Sequence, residues 1–158
     1  MKNNKTNVMR VLEQHKIEYT AYTYGDGETA ISGTEVAELL GKDPLSTFKT
    51  LVTVGRTGQN YVFVIPVCCE LDLKKAADAV GEKSIEMIRS KELLPLTGYI
   101  HGGCSPIGMK KLFPTVVDSV AEGFPKIMFS GGHIGYQVEI SPKDLETVIP
   151  VRYADLTV

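Results

Sequence analysis

The sequence has little of what builds a metal centre, a disulfide framework or a membrane span. Its three cysteines, Cys68, Cys69 and Cys104, are odd in number, and two are adjacent. No spacing among them fits a zinc cluster or paired bridges, so they read as reduced thiols. The three histidines, His15, His101 and His133, stand far apart and form no ligand motif. Neither a metal nor a cofactor is expected. No stretch approaches the ~18 consecutive apolar residues of a membrane helix, and the polar start Met1-Lys2-Asn3-Asn4-Lys5 enters an amphipathic segment without a signal-peptide core. The cytoplasm is therefore the expected compartment, with no membrane contact. A formal net charge of −2 supplies no broad basic surface for DNA. Any RNA contact should be small or shared with a partner.

What is present is an ordinary globular composition, 43% hydrophobic and 23% charged, which predicts one domain over residues 1–158. Thr6 is a plausible cap for a helix carrying Val8, Val11 and Leu12 on one face. A strand follows at about residues 18–23, then a short helix at 34–41 ended by Gly41. Runs 48–54 and 61–67, separated by the turn residues Gly55 to Asn60, read as an antiparallel hairpin. Asp72 caps a helix that Gly81 ends. A short strand near 84–87 and a helix after Ser90 come next. Ser105-Pro106 and Ser141-Pro142 each combine a capping hydroxyl with proline at the first helical position, so both predict helix starts. Strands are expected at 115–118, 125–129 and 136–140. The sum is a mixed α/β fold: a curved, largely antiparallel sheet with several short helices.

A lysine opens the strand Phe48-Lys49-Thr50-Leu51-Val52-Thr53-Val54, and two Gly-Gly loops follow at Gly102-Gly103 and Gly131-Gly132. A period-two reading puts Phe48, Thr50, Val52 and Val54 on one face and Lys49, Leu51 and Thr53 on the other. Lys49 either carries its head out to solvent along an apolar stem or works on an anionic or carbonyl-bearing ligand. Gly102-Gly103, placed before a predicted helix, either turns the chain tightly or offers free N–H groups to a developing oxyanion. Cys104, three residues after His101, is a candidate nucleophile without an obvious third group to orient the histidine. Cys68 and Cys69 end a run of valines and read as core filler. Lys110-Lys111, expected on a helix, is either a solvated face or a contact to RNA phosphate.

Assembled in order, Phe48-Lys49-Thr50-Leu51, Leu71-Asp72-Leu73-Lys74-Lys75, Thr97-Gly98-Tyr99, Gly102-Gly103-Cys104-Ser105-Pro106-Ile107-Gly108, Lys110-Lys111 and Ser130-Gly131-Gly132 closely resemble the YbaK/EbsC family. That family comprises Cys-tRNA(Pro) deacylases related to the editing domain inserted in prolyl-tRNA synthetases. The resemblance implies the family's mixed α/β fold and hydrolytic removal of a mischarged amino acid from the tRNA(Pro) acceptor end, alongside prolyl-tRNA synthetase. It makes Lys49 the essential lysine, with Gly102 and Gly103 supporting the ester oxygen. Tyr24, Thr50 and Ser130 match polar pocket positions and become substrate contacts; Gly131, Gly132 and Gln137 are expected beside them in the same pocket, and Lys110 and Lys111 are expected as tRNA contacts. It also implies that the substrate's own thiol attacks its ester, so the protein supplies position and electrostatics rather than a nucleophile. The chain departs from the pattern at His101, at Cys104, at Gln137 and in the loop His133-Ile134-Gly135. Editing of another small amino acid, such as alanine on tRNA(Pro), and a non-catalytic module that binds an acceptor end are the competing readings.

Overall fold

The computed structural model describes residues 5–158; the polar start at Met1 to Asn4 lies outside them. Local chemistry sets most of the element boundaries. Thr6 accepts the Met9 N–H and opens α1 (Asn7–Gln14), which buries Val8, Met9 and Leu12. After β1 (Thr20–Thr23), Ser32 accepts the Glu35 N–H and starts α2 (Gly33–Leu39), ahead of the expected position. β2 (Phe48–Gly55) and β3 (Asn60–Pro66) form the antiparallel hairpin. Asp72 accepts the Lys74 and Lys75 N–H groups at the head of α3 (Leu73–Val80), and Gly81 closes it at φ +73°. β4 (Ile85–Met87) precedes α4 (Ser90–Thr97), where the Glu92 carboxylate accepts the Arg89 N–H. Then come β5 (Thr115–Asp118), a 3₁₀ helix at Ser119–Gly123, β6 (Ile127–Ser130) and β7 (Tyr136–Ile140). Ser141 caps α5 (Pro142–Val148), and β8 (Val151–Ala154) follows.

The strands hydrogen-bond in two sections, β1-β7-β6 and β4-β2-β3-β5-β8. Pairing is antiparallel except between β3 and β5 and between β5 and β8. A parallel bridge, Thr47 to Met128, joins the sections, with the Met128 N–H bonded to the Ser46 carbonyl at 2.9 Å. One core cluster gathers Phe48, Val52, Val62, Val64, Phe129 and Val138 with Val8 and Leu12 of α1 and Leu145 of α5. A second places Phe63, Ile65 and Val116 under Ala76 and Ala77 of α3. β3 is buried on both faces, which is why it reads as an unbroken apolar run. β2 keeps the expected period of two: Phe48 and Val52 enter the first cluster while Leu51 packs on the second.

Two expectations are corrected. Ser105-Pro106 starts no helix, and residues 105–112 run as bends and irregular chain. The Ser105 hydroxyl accepts the Ile107 N–H, the Ile107 carbonyl accepts the Tyr99 hydroxyl, and the Lys110 N–H donates to the Thr97 carbonyl. The groups a helix would pair internally are thus taken by residues 97–99, while Ile107 and Phe113 are buried. Lys110-Lys111 accordingly lies on no helix. Nor are Cys68 and Cys69 core filler: they sit in the turn after β3, Cys68 exposed and Cys69 half-buried. β8 has no clear sequence signature, and its parallel pairing with β5 defines it. No described helix is long and apolar enough to cross a membrane.

Candidate active site

The bridge at Thr47 and Met128 is where the two sheet sections part, and a cavity of about 200 Å³ opens in the wedge beyond it. One wall is Thr47 with the N-terminal half of β2, Phe48 to Leu51. β4 joins β2 only from Thr53 onward and β6 reaches it at the Thr47–Met128 bridge, so the stretch between them has an unpaired edge. The Val52 carbonyl accepts the Ile88 N–H on that edge, so the backbone of Thr50, two residues away, faces the same side. The opposite wall comes from Ser130 and Gln137, cross-strand partners on β6 and β7. Tyr24 and Ile31 to Gly33 complete the lining together with His101, Gly102 and Cys104, and Gly102 packs beside Ala30. The Tyr24 N–H donates to the Gly135 carbonyl at 2.9 Å, tying the β1–α2 loop to the turn between β6 and β7.

The cavity's polar complement is small. The side-chain oxygens Thr50 Oγ1 and Gln137 Oε1 are buried without a hydrogen-bond partner. Lys49 makes no ion pair or side-chain hydrogen bond among the described residues. The Ser130 hydroxyl accepts the Gly132 N–H at 3.1 Å. Among the described residues Cys104 is the only thiol lining the cavity, and burial pushes it up to about 12. It is neutral at physiological pH and a poor nucleophile there.

Six of the sequence-derived site residues meet at this cavity: Lys49, Thr50, Tyr24, Ser130, Gln137 and Gly102. Gly103, Gly131 and Gly132 stand behind its wall. Gly103 donates its N–H to the Ile100 carbonyl at 3.0 Å and packs against the backbone of His133 and Ile134. Gly131 donates to Tyr136 at 2.8 Å, while Gly132 abuts Val8 and Tyr99. Lys110 and Lys111 are exposed and away from the cavity, with the Lys111 ammonium 5.8 Å from the centre of the Phe113 ring. The sequence reading omits Thr47, Ser32, Val36, Val67 and Leu93, all of which line the cavity. Only Ser32 carries a local signal, its position as a cap.

A narrow apolar cleft with, among the described residues, one uncommitted cation and no ionised nucleophile suits a reaction that the ligand largely performs itself. The class is the aminoacyl-tRNA editing domain: residues 28–148 match that family, and the chain belongs to it. Its chemistry is cleavage of the ester that joins an amino acid to tRNA, which makes the chain an aminoacyl-tRNA deacylase. A protein of Enterococcus faecalis that carries the name Cys-tRNA(Pro)/Cys-tRNA(Cys) deacylase EbsC is 46% identical over 153 residues, spanning 97% of this chain and 93% of that one. Proline–tRNA ligase of Shouchella clausii is 30% identical over 124 residues, 72% of this chain and 22% of the ligase. A solved structure described as a trans-editing enzyme for prolyl tRNA synthetase superposes with a TM-score of 0.81 at 26% identity, covering 98% of this chain and 99% of that one. The hypothetical protein APE2540 superposes at 0.85 with 24% identity, covering 96% and 99%, and speaks for the fold alone.

Proposed function

We propose that this chain, acting as one editing domain over residues 1–158 in the cytoplasm, removes cysteine from mischarged Cys-tRNA(Pro). The observation that carries the reading is the pairing of an uncommitted Lys49 with the unpartnered oxygens of Thr50 and Gln137 around a cavity whose only thiol is neutral. Lys49 holds the ester carbonyl or the terminal phosphate. The Gly102 amide supports the same developing negative charge; the Gly103 amide is already committed to Ile100. Thr50 and Gln137 take polar atoms of the aminoacyl group, and Tyr24 and Ser130 close around it. The glycines Gly131 and Gly132 hold the wall behind Ser130.

The cysteinyl thiol then attacks its own ester carbon. A carbon–sulfur bond forms, the carbon–oxygen ester bond breaks, and the thiol proton passes to the departing ribose oxygen, leaving a cyclic thiolactone and free tRNA. The enzyme contributes proximity and a fixed field rather than a covalent partner. Alanine and proline have no thiol and are spared. Lys110 and Lys111 contact phosphates near the acceptor end, and prolyl-tRNA synthetase supplies the remaining grip on tRNA that a chain of net charge −2 lacks.

One deacylation assay tests this, comparing Cys-tRNA(Pro), Ala-tRNA(Pro), Ser-tRNA(Pro) and Cys-tRNA(Cys). Cleavage of the cysteinyl esters alone is expected. Preferential cleavage of Ala-tRNA(Pro) would overturn the thiol-assisted step, and binding without cleavage of any substrate would overturn the enzyme assignment.

A further inference from the structure

The turn Pro66-Val67-Cys68-Cys69 closes β3, with the Cys69 N–H bonded to the Pro66 carbonyl at 3.1 Å. It holds two thiols side by side, their sulfurs 3.9 Å apart, Cys68 exposed and Cys69 half-buried. Neither is among the residues lining the cavity, and the deacylation chemistry uses neither. A solvent-accessible thiol with a second thiol in reach is the arrangement that two-electron oxidants convert to a disulfide.

The turn is fastened to the site. Val67 lies between the last residue of β3 and Cys68; its side chain lines the cavity and its N–H donates to the Thr47 carbonyl at 2.8 Å. A Cβ on Gly33 would come within 2.4 Å of Val67 Cγ1, so α2 leaves Val67 no slack. On the neighbouring strand Phe48 pairs with Pro66 and Lys49 with Ile65. A change of conformation at residues 68 and 69 would act first on Val67 and, through its bond, on Thr47 and the start of β2.

We propose that Cys68 and Cys69 form a dithiol modification site for peroxides, and that its oxidation reshapes the neighbouring wall of the cavity. The Cys68 thiolate attacks one peroxide oxygen, the oxygen–oxygen bond breaks, and Cys68 becomes a sulfenic acid as the first water is released. The Cys69 thiol then attacks the Cys68 sulfur, the sulfur–sulfur bond forms and the second water departs. Two electrons pass from the sulfurs to the peroxide, and both thiol protons end in water. Exposure makes Cys68 the first to react. Burial holds Cys69 above the ordinary thiol range, which suits the slower, resolving role. Closing the bond brings the sulfurs from 3.9 Å to about 2.05 Å, and because adjacent Cα atoms stand only about 3.8 Å apart, below the usual disulfide span of about 4.4–6.8 Å, the turn must distort to allow it.

The test treats the full chain with hydrogen peroxide and then counts free thiols and measures intact mass after unfolding. The wild type should fall from its three free thiols to one, with loss of two hydrogens and a link mapped to residues 68 and 69, and dithiothreitol should restore it. Cys69→Ser should stop at a sulfenic acid on Cys68 that dimedone traps, and Cys68→Ser should keep both remaining thiols at the same dose. Phenylarsine oxide should bind once per wild-type chain and not to Cys68→Ser. Retention of all three thiols at a dose that oxidises free cysteine, or equal oxidation of Cys68→Ser, overturns the site. The effect on activity rests on the proposed editing function: oxidised protein should lose Cys-tRNA(Pro) cleavage and regain it on reduction. Complete oxidation with full activity overturns the coupling, whereas an inactive reduced enzyme refutes the editing reading and leaves the thiol counts to decide the site.

Discussion

Thr50 and Gln137 line the same cavity from the two sheet sections, and their side-chain oxygens, Oγ1 and Oε1, are buried without a hydrogen-bond partner. A buried polar atom left unpaired costs about 1–3 kcal/mol, a cost tolerated where a ligand completes the bond. Thr50→Val removes one such atom, and valine suits a strand. The free protein should gain stability, with a melting temperature about 2–4 °C higher for each kcal/mol recovered. kcat/KM for Cys-tRNA(Pro) should fall about tenfold, the worth of one hydrogen bond made only with substrate. A variant that melts earlier and keeps full activity would show that the hydroxyl has a structural role only.

Lys49 and Cys104 separate two mechanisms within one cavity. Lys49→Ala deletes a cation that pairs with nothing among the described residues, so stability should change by less than about 0.5 kcal/mol. Single-turnover deacylation should drop about 10²–10³-fold, the scale for losing one electrostatic stabiliser. Cys104→Ser should keep most of the activity, because burial already holds that thiol neutral at about 12. A dead serine variant beside an active alanine variant would make the thiol the nucleophile and remove the substrate-assisted step.

Local chemistry reads out of the sequence where the fold does not overrule it. Asp72 and Gly81 bracket α3, and Ser141 with Pro142 opens α5, as capping rules require. Ser105-Pro106 presents the same dipeptide signal and fails, because burial of Ile107 and the Tyr99 and Thr97 bonds outweigh one favourable cap. In the site, Lys49, Gly102 and Ser130 were legible through motifs contiguous in sequence. Thr47 and Val67 were not, since they line the cavity only because the sheet divides at the Thr47–Met128 bridge, a pairing between distant segments.

The two Gly-Gly loops should respond differently to a methyl group. Gly132 has φ +92°, and a Cβ there would lie 2.8 Å from the Cγ2 of fully buried Val8. Gly132→Ala should therefore destabilise the protein by about 1–3 kcal/mol, with activity per folded molecule little changed. Gly102, at φ +91°, would bring its Cβ within 2.7 Å of the Ala30 Cβ, next to Ile31 on the cavity wall. Gly102→Ala should carry a similar backbone cost and, in addition, lower kcat per folded molecule. Thermal melts alongside deacylation rates distinguish the two, and a Gly132→Ala enzyme that melts normally but is inactive would reassign that loop to substrate.

Glu82 should make the fold acid-sensitive. Its carboxylate is buried against the β2–β3 turn, accepting the Thr57 hydroxyl and N–H and, at 2.7 Å, the Tyr61 hydroxyl. Gly55 makes the room, since a Cβ there would fall 2.3 Å from Glu82 Cδ. The Thr57 hydroxyl first, then Tyr61, holds the carboxyl below its ordinary range against the opposing effect of burial. A folded-state pKa below the unfolded value of about 4.3 contributes stability that is fully present above that value and is lost as pH falls through the folded one. Glu82→Gln keeps the shape and removes the titration. The variant should melt earlier than wild type near neutral pH, and the gap should close as the buffer is taken below about pH 4. Melting curves that stay parallel across that range would mean that Glu82 has the same pKa folded and unfolded.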